Sequence, residues 1–242
     1  MDYDRAVPLD EARSIGRVFG VLYLITFVTS IPALWLYQPI LDDPVGYIAG
    51  AGHDNRIFVG VVLELLLIIS NIGTALVPYP LLKRQNETLA LGYVAARIVE
   101  CTFILIGILA VLTVVTLQQE NAGPNEGTIA YTLAALKDWT FLLGPGFVVG
   151  IGNGLTLGYL MYRSALVPPR AAWLGLIGGP LIIASGMAVL FGVDDPGGTL
   201  QGLATIPEFL WELFLGVYCT VFGFRSAPIL AGRQPAAAAA HT

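Results

Sequence analysis

The chain has 242 residues, 56% hydrophobic and only 12% charged, with a formal net charge of −5 and a mean hydropathy of +0.75. Soluble domains carry about 25% charged residues, so an ordinary soluble fold is excluded. The absence of any basic patch excludes nucleic acid as a partner.

The apolar residues fall in six long blocks, 15–36, 57–79, 90–116, 139–162, 171–191 and 203–224. Each is long enough, at about 1.5 Å per residue, to cross a hydrocarbon core of about 30 Å. The alternative, a soluble protein with buried helices, does not account for six such blocks separated by short polar stretches. The expected fold is therefore all-α, a polytopic transmembrane bundle of six helices over 15–225. Residues 1–14 are expected to be a cytoplasmic lead-in with a short surface helix from Leu9, and 226–242 a disordered cytoplasmic tail ending in an alanine run. The first block reads as a mature helix and not as a signal peptide, because it is too long for an h-region and no Ala-x-Ala site follows.

Between the blocks, 37–56 reads as a first external loop, and Pro78 and Pro80 stop the second helix. KRQNET, 83–88, reads as a tight turn. After the third block, 129–136 reads as a short helix on the outer surface, with Trp139 at the interface. SALVPPR, 164–170, and DDPGGT, 194–199, are turns, and Trp173 marks the start of the fifth helix.

Charges orient the chain. Arg5, Arg13, Arg17, Lys83, Arg84, Arg163, Arg170, Arg225 and Arg233 lie on one side of a six-span chain, against Arg56 and Lys137 on the other. That bias puts both termini in the cytoplasm of a plasma-membrane protein.

Polar residues inside the blocks are the main clue to activity, because each membrane charge needs a partner, a neutral form or a water path. Arg97 and Glu100 share a face of the third helix, Glu64 and Asn71 of the second, and Glu208 and Glu212 of the sixth. Arg97, about 10 Å deep, and Glu100, about 15 Å deep, are level with Glu212 and with Asn153 of the fourth helix. Two carboxylates one turn apart can hold a cation or share a proton; the bland reading is that Glu212 pairs with Arg97 and ties helices 3 and 6 together as neighbours. Four membrane carboxylates against one membrane arginine favour a site over simple pairing.

Gly146, Gly150, Gly154 and Gly158 recur every four residues in the fourth helix. Such a stripe lets another helix approach closely in lipid, and its other reading is a thin wall beside a cavity. His53 and His241 lie outside the blocks, leaving neither a metal cluster nor a bis-histidine haem, so no metal or cofactor is expected. Cys101 and Cys219 read as small buried hydrophobes. Ser30, Ser70 and Ser185 have no membrane histidine to serve as base, which argues against a hydrolase and against an enzyme generally.

Four segments carry a family resemblance: ARSIGRVFGVLYLITFV from Ala12, YVAARIVECTFILIG from Tyr93, PRAAWLGLIGG from Pro169 and IPEFLWELFLGVYCTVFGF from Ile206. In this order and spacing the chain resembles the bacterial domain-of-unknown-function family 4386 over about 12–226. The resemblance implies six helices and a membrane location, and supplies no substrate or catalytic residue. The function expected from the sequence is permeation of a small solute or ion, with a proton or cation as ligand and membrane lipids as partners. The alternative is a structural or regulatory membrane protein whose charges only tie helices; self-association is left open.

Overall fold

The computed structural model describes residues 5–50, 54–120 and 123–231. Six helices in it are long and apolar enough to cross a membrane: Leu9–Leu36, Asp54–Leu76, Glu87–Glu120, Glu126–Ser164, Pro169–Leu190 and Thr199–Phe222, here spans 1 to 6. No strand occurs among the described residues. Large apolar side chains such as Val28, Ile69, Leu109, Leu203 and Val221 point outward. That surface belongs in lipid, since a soluble protein seldom exposes apolar patches of more than a few hundred Å².

The spans close a ring. Span 1 packs on spans 2 and 6, span 3 on spans 2 and 4, and span 5 on spans 4 and 6. Spans 3 and 6 therefore face each other across the interior and are not packing neighbours, contrary to the expectation from sequence. Glycine sets the closeness of several contacts. Gly16 and Gly20 meet the backbone of span 6 at Gly223–Phe224 and Cys219–Thr220. Gly223 ends span 6 at φ 68°, in the left-handed region, with its N–H donated to the Cys219 carbonyl.

Two hydrophobic clusters fill opposite ends of the ring. One, on the side of the termini, includes Phe19, Tyr23, Leu82, Met161, Trp211 and Phe224. The other includes Tyr37, Ile40, Ile57, Ile108, Val111 and Val114. Most of the membrane polar residues lie between them.

Several boundaries differ from the sequence reading. Span 1 begins at Leu9, without a separate surface helix. Pro32 lies within it, and the helix runs on to Leu36, where the first block ends. Residues 37–56 hold two short helices, Gln38–Leu41 and Pro44–Ala49, the second capped by Asp43 accepting from the Gly46 N–H at 2.8 Å. The Tyr47 hydroxyl donates to Asp54 at 2.7 Å, and burial, with that carboxylate beside it, pushes the phenol above its usual range. KRQNET is mostly helical: Tyr79–Gln85 is a helix and Asn86 is the turn, accepting the Leu89 N–H to cap span 3.

At the far end, 226–231 is ordered. Pro228–Leu230 forms a short helix, and the Val7 N–H donates to the Leu230 carbonyl at 2.9 Å. The alanine run lies outside the described residues.

Span 4 departs furthest from expectation. The segment 129–136 is not a separate surface helix but the N-terminal part of a continuous helix that starts at Glu126. Within that span Leu142–Val148 and Gly150–Leu157 are π-helical, closed by i→i+5 bonds. Pro145 contributes no N–H and the many glycines resist neither widening nor bending.

Three of the four glycines at spacing four keep one face through this winding. Gly150, Gly154 and Gly158 meet span 5 near Ile182, Gly179 and Leu176, whereas Gly146 lies nearest to Leu142, Phe141 and Gln201.

Candidate functional site

Inside the ring is a cavity of about 120 Å³, lined by residues of spans 1, 2, 3, 4 and 6. Its polar lining is Thr26, Ser30, Glu64, Asn71, Arg97, Glu100 and Glu212; Leu34, Leu67, Ile104, Phe141, Pro145 and Val149 complete it. A water needs about 10–15 Å³ of such space, so several fit. Ligand pockets for drug-sized molecules start at about 300 Å³, so a larger solute does not.

Arg97 is the hub. Its Nη1 donates to Glu100 Oε2 at 2.7 Å, its Nη2 donates to the Tyr23 hydroxyl at 3.0 Å, and Nη2 lies 3.8 Å from Glu212 Oε1. The Tyr23 and Tyr93 hydroxyls are 3.0 Å apart, and the guanidinium lies over both rings. Asn71 Nδ2 donates to Glu100 Oε1 at 2.9 Å, so both oxygens of Glu100 are held. Asn153 Nδ2 donates to Glu212 Oε1, and the Asn153 carbonyl accepts from Trp211 Nε1 at 3.1 Å. The π-helical winding of span 4 thus brings Asn153 to span 6 as well as to its packing partner, span 5.

A second pair stands nearer the other end of the cavity. Lys137 Nζ donates to both oxygens of Glu64, at 2.7 and 2.9 Å, and the Tyr37 hydroxyl donates to Glu64 Oε2 at 3.0 Å. The ammonium also sits 4.9 Å from the centre of the Tyr37 ring. Room for this group comes from two glycines. A Cβ on Gly60 would lie 2.7 Å from the Tyr37 ring, and one on Gly107 would lie 2.8 Å from the Lys137 stem.

Lys137, an external charge on the sequence reading, is instead buried in span 4 as the second cation of the network. The Lys137–Asp138 pair interrupted an apolar run that in fact continues through 128–136. Two signals pointed to it. One was the carboxylate surplus itself, and the other the small buried residues Ala130, Ala134 and Thr140 at helical spacing around it.

Of the residues singled out from sequence, Glu64, Asn71, Arg97, Glu100 and Glu212 are brought to one cavity, and Asn153 reaches it through Glu212. Glu208 is not part of it. Although one turn from Glu212, its carboxylate lies between Gly154 and Gly178, and neither oxygen has a partner among the described residues. The paired-carboxylate site expected on span 6 is therefore not formed. Tyr23, Tyr37 and Tyr93, which hold the charges in place, carried no signal in the sequence beyond being aromatic.

The network is not electrically closed. Three carboxylates, Glu64, Glu100 and Glu212, stand against two cations, Lys137 and Arg97. Glu64 and Glu100 side chains are 6% and 5% exposed, whereas that of Glu212 is 21% exposed, toward the cavity it lines. Its contacts with Asn153 and Arg97 are both made through Oε1.

A family model described as domain of unknown function (DUF4386) matches residues 18–223, and the chain belongs to that family. No curated protein matches the chain, and no solved structure does.

Proposed function

We propose that this chain is a permeation protein of the plasma membrane that binds a small cation or proton at Glu212. With Lys137 assigned to the membrane interior, the basic residues outside it divide nine to one, which supports both termini in the cytoplasm. In that orientation the cavity extends from mid-membrane at Arg97, Asn71 and Glu212 toward the external half, where Leu34, Glu64, Ile104 and Phe141 line it. The observation that carries the reading is the third carboxylate. Two cations satisfy Glu64 and Glu100, and Glu212 is left with an open oxygen in a cavity sized for water and small ions. Intramembrane ionisable groups of this kind line ion pathways and proton relays.

The test is flux through reconstituted liposomes with an internal pH dye and an imposed proton, sodium or potassium gradient. Parent protein collapses one of these gradients faster than empty liposomes do, and Glu212→Gln removes the effect. A second reading, that the charges only tie helices, is favoured by the full pairing of Glu64 and of Glu100. It requires that the parent dissipates no gradient and that Glu212→Gln changes stability alone.

A further inference from the structure

Glu208 is the strongest feature the cavity does not use. Its side chain is 2% exposed, and neither carboxylate oxygen has a hydrogen-bond partner among the described residues. It occupies a slot made by glycine. A Cβ added to Gly154 of span 4 or to Gly178 of span 5 would lie 2.8 Å from Glu208 Oε2. The slot therefore exists because both helices lack a side chain there.

The charged groups around it are few. Spans 4 and 5 face it with Gly154 and Gly178, which carry no charge. Glu212, on its own helix, and Glu100 and Arg97, on span 3, are the charges within range. Arg97 directs its donors at Glu100, Tyr23 and Tyr93 and contacts Glu212, leaving none on Glu208. An ionised carboxylate in this slot would have no donor and a like charge one turn away, the arrangement a membrane interior tolerates least. A third acceptor, Asn153 Oδ1, is also buried without a donor, on the residue next to Gly154. A carboxylic acid at Glu208 leaves no uncompensated charge in the slot.

We propose that Glu208 is a proton-binding site in the membrane interior, a carboxylic acid that exchanges its proton with water of the Glu212 cavity. In the exchange one O–H bond forms at the carboxyl as one breaks at hydronium, and the reverse step returns the proton to water; no other bond changes. The exchange rests on the cavity reading above, through hydration of that cavity, whereas the bound proton stands on the slot alone.

Infrared spectroscopy of the reconstituted protein at neutral pH tests it. The parent shows the carbonyl stretch of a protonated carboxyl. Glu208→Gln abolishes that band and Glu212→Gln retains it. Glu208→Asp, which keeps the acid but moves its carbonyl, shifts the band and covers the case in which the glutamine variant does not fold. Transfer to D2O lowers the band frequency as the proton exchanges. A parent without the band, or a band that survives Glu208→Gln, overturns the site; a band that never shifts in D2O overturns the exchange. Failure of the cavity reading shows separately, as absent flux in the parent with the Glu208 band intact.

Discussion

Removing Lys137 tests the site where the structure departs most from the sequence reading. Lys137→Met keeps an unbranched stem of similar length against Gly107 but deletes the ammonium that holds both oxygens of Glu64. Glu64 keeps the Tyr37 hydroxyl as its donor and loses its counter-charge in a position 5% exposed. Breaking a buried ion pair by removing one partner costs about 3–5 kcal/mol, because the other charge is left uncompensated. For a chain of this size each kcal/mol is worth about 2–4 °C, so the melting temperature in detergent should fall by about 6–20 °C. Adding Glu64→Gln removes the stranded charge and should recover most of the loss, since replacing both members of a buried pair is often close to neutral. A Lys137→Met loss below about 1 kcal/mol would be the behaviour of an exposed pair and would refute burial. Strictly additive losses in the double variant would refute the contact.

Three further outcomes are expected. Cysteine at Thr88 should label only from the cytoplasm and cysteine at Asp195 only from outside; labelling of both from one face would break the orientation. Arg97→Met should cost more stability at pH 8 than at pH 5, where the carboxylates it leaves behind can take up protons, and Glu212→Gln added to it should narrow the difference; equal losses at both pH values would remove Arg97 from the network. Gly154→Leu should lower thermal stability in detergent far more than Gly146→Leu, because Gly154 packs on Gly179 and Gly146 has no backbone of another span within reach; equal losses would refute this assignment of the packing face.

The architecture was legible because apolar length is a direct physical requirement of the bilayer, and all six blocks map onto the six spans. Pairing was less legible. Arg97 and Glu100 are three residues apart on one helix, so their contact follows from helical geometry alone. The Glu64–Lys137 contact joins residues 73 apart in sequence, and no local periodicity encodes which helices meet. The glycine stripe failed at Gly146 for a related reason. Gly150, Gly154 and Gly158 keep the face toward span 5 through the i→i+5 winding, whereas Gly146 meets only its own helix and the Gln201 side chain, and no periodicity encodes which of the four finds a partner. Glu208 and Glu212 do share a face, but their side chains diverge because one finds a glycine slot and the other an amide.

The two ends of the cavity differ in how they are sealed, and this bears on where a ligand enters. Toward the termini, Gly16, Gly20 and Gly223 bring the backbones of spans 1 and 6 together with no side chain between them. The Tyr23–Tyr93 pair closes the floor beneath Arg97, and the fully buried Trp211 and Phe224 belong to the same cluster. Such close-packed contacts yield only by moving whole helices. At the other end, beside the second cluster to which the buried Ile104 belongs, Leu34 is half-buried and Phe141 exposed, and these two can change rotamer without backbone displacement. Rotamer changes take picoseconds to nanoseconds in exposed residues, whereas collective helix motions take microseconds or longer. If Glu212 binds a cation or proton as proposed, that ligand should exchange more readily with the side remote from the termini. Passage beyond Arg97 would be the slow step. Substitutions that loosen the floor, such as Tyr23→Phe, which removes the hydroxyl joining Arg97 to Tyr93, should act on the rate of passage more than on binding.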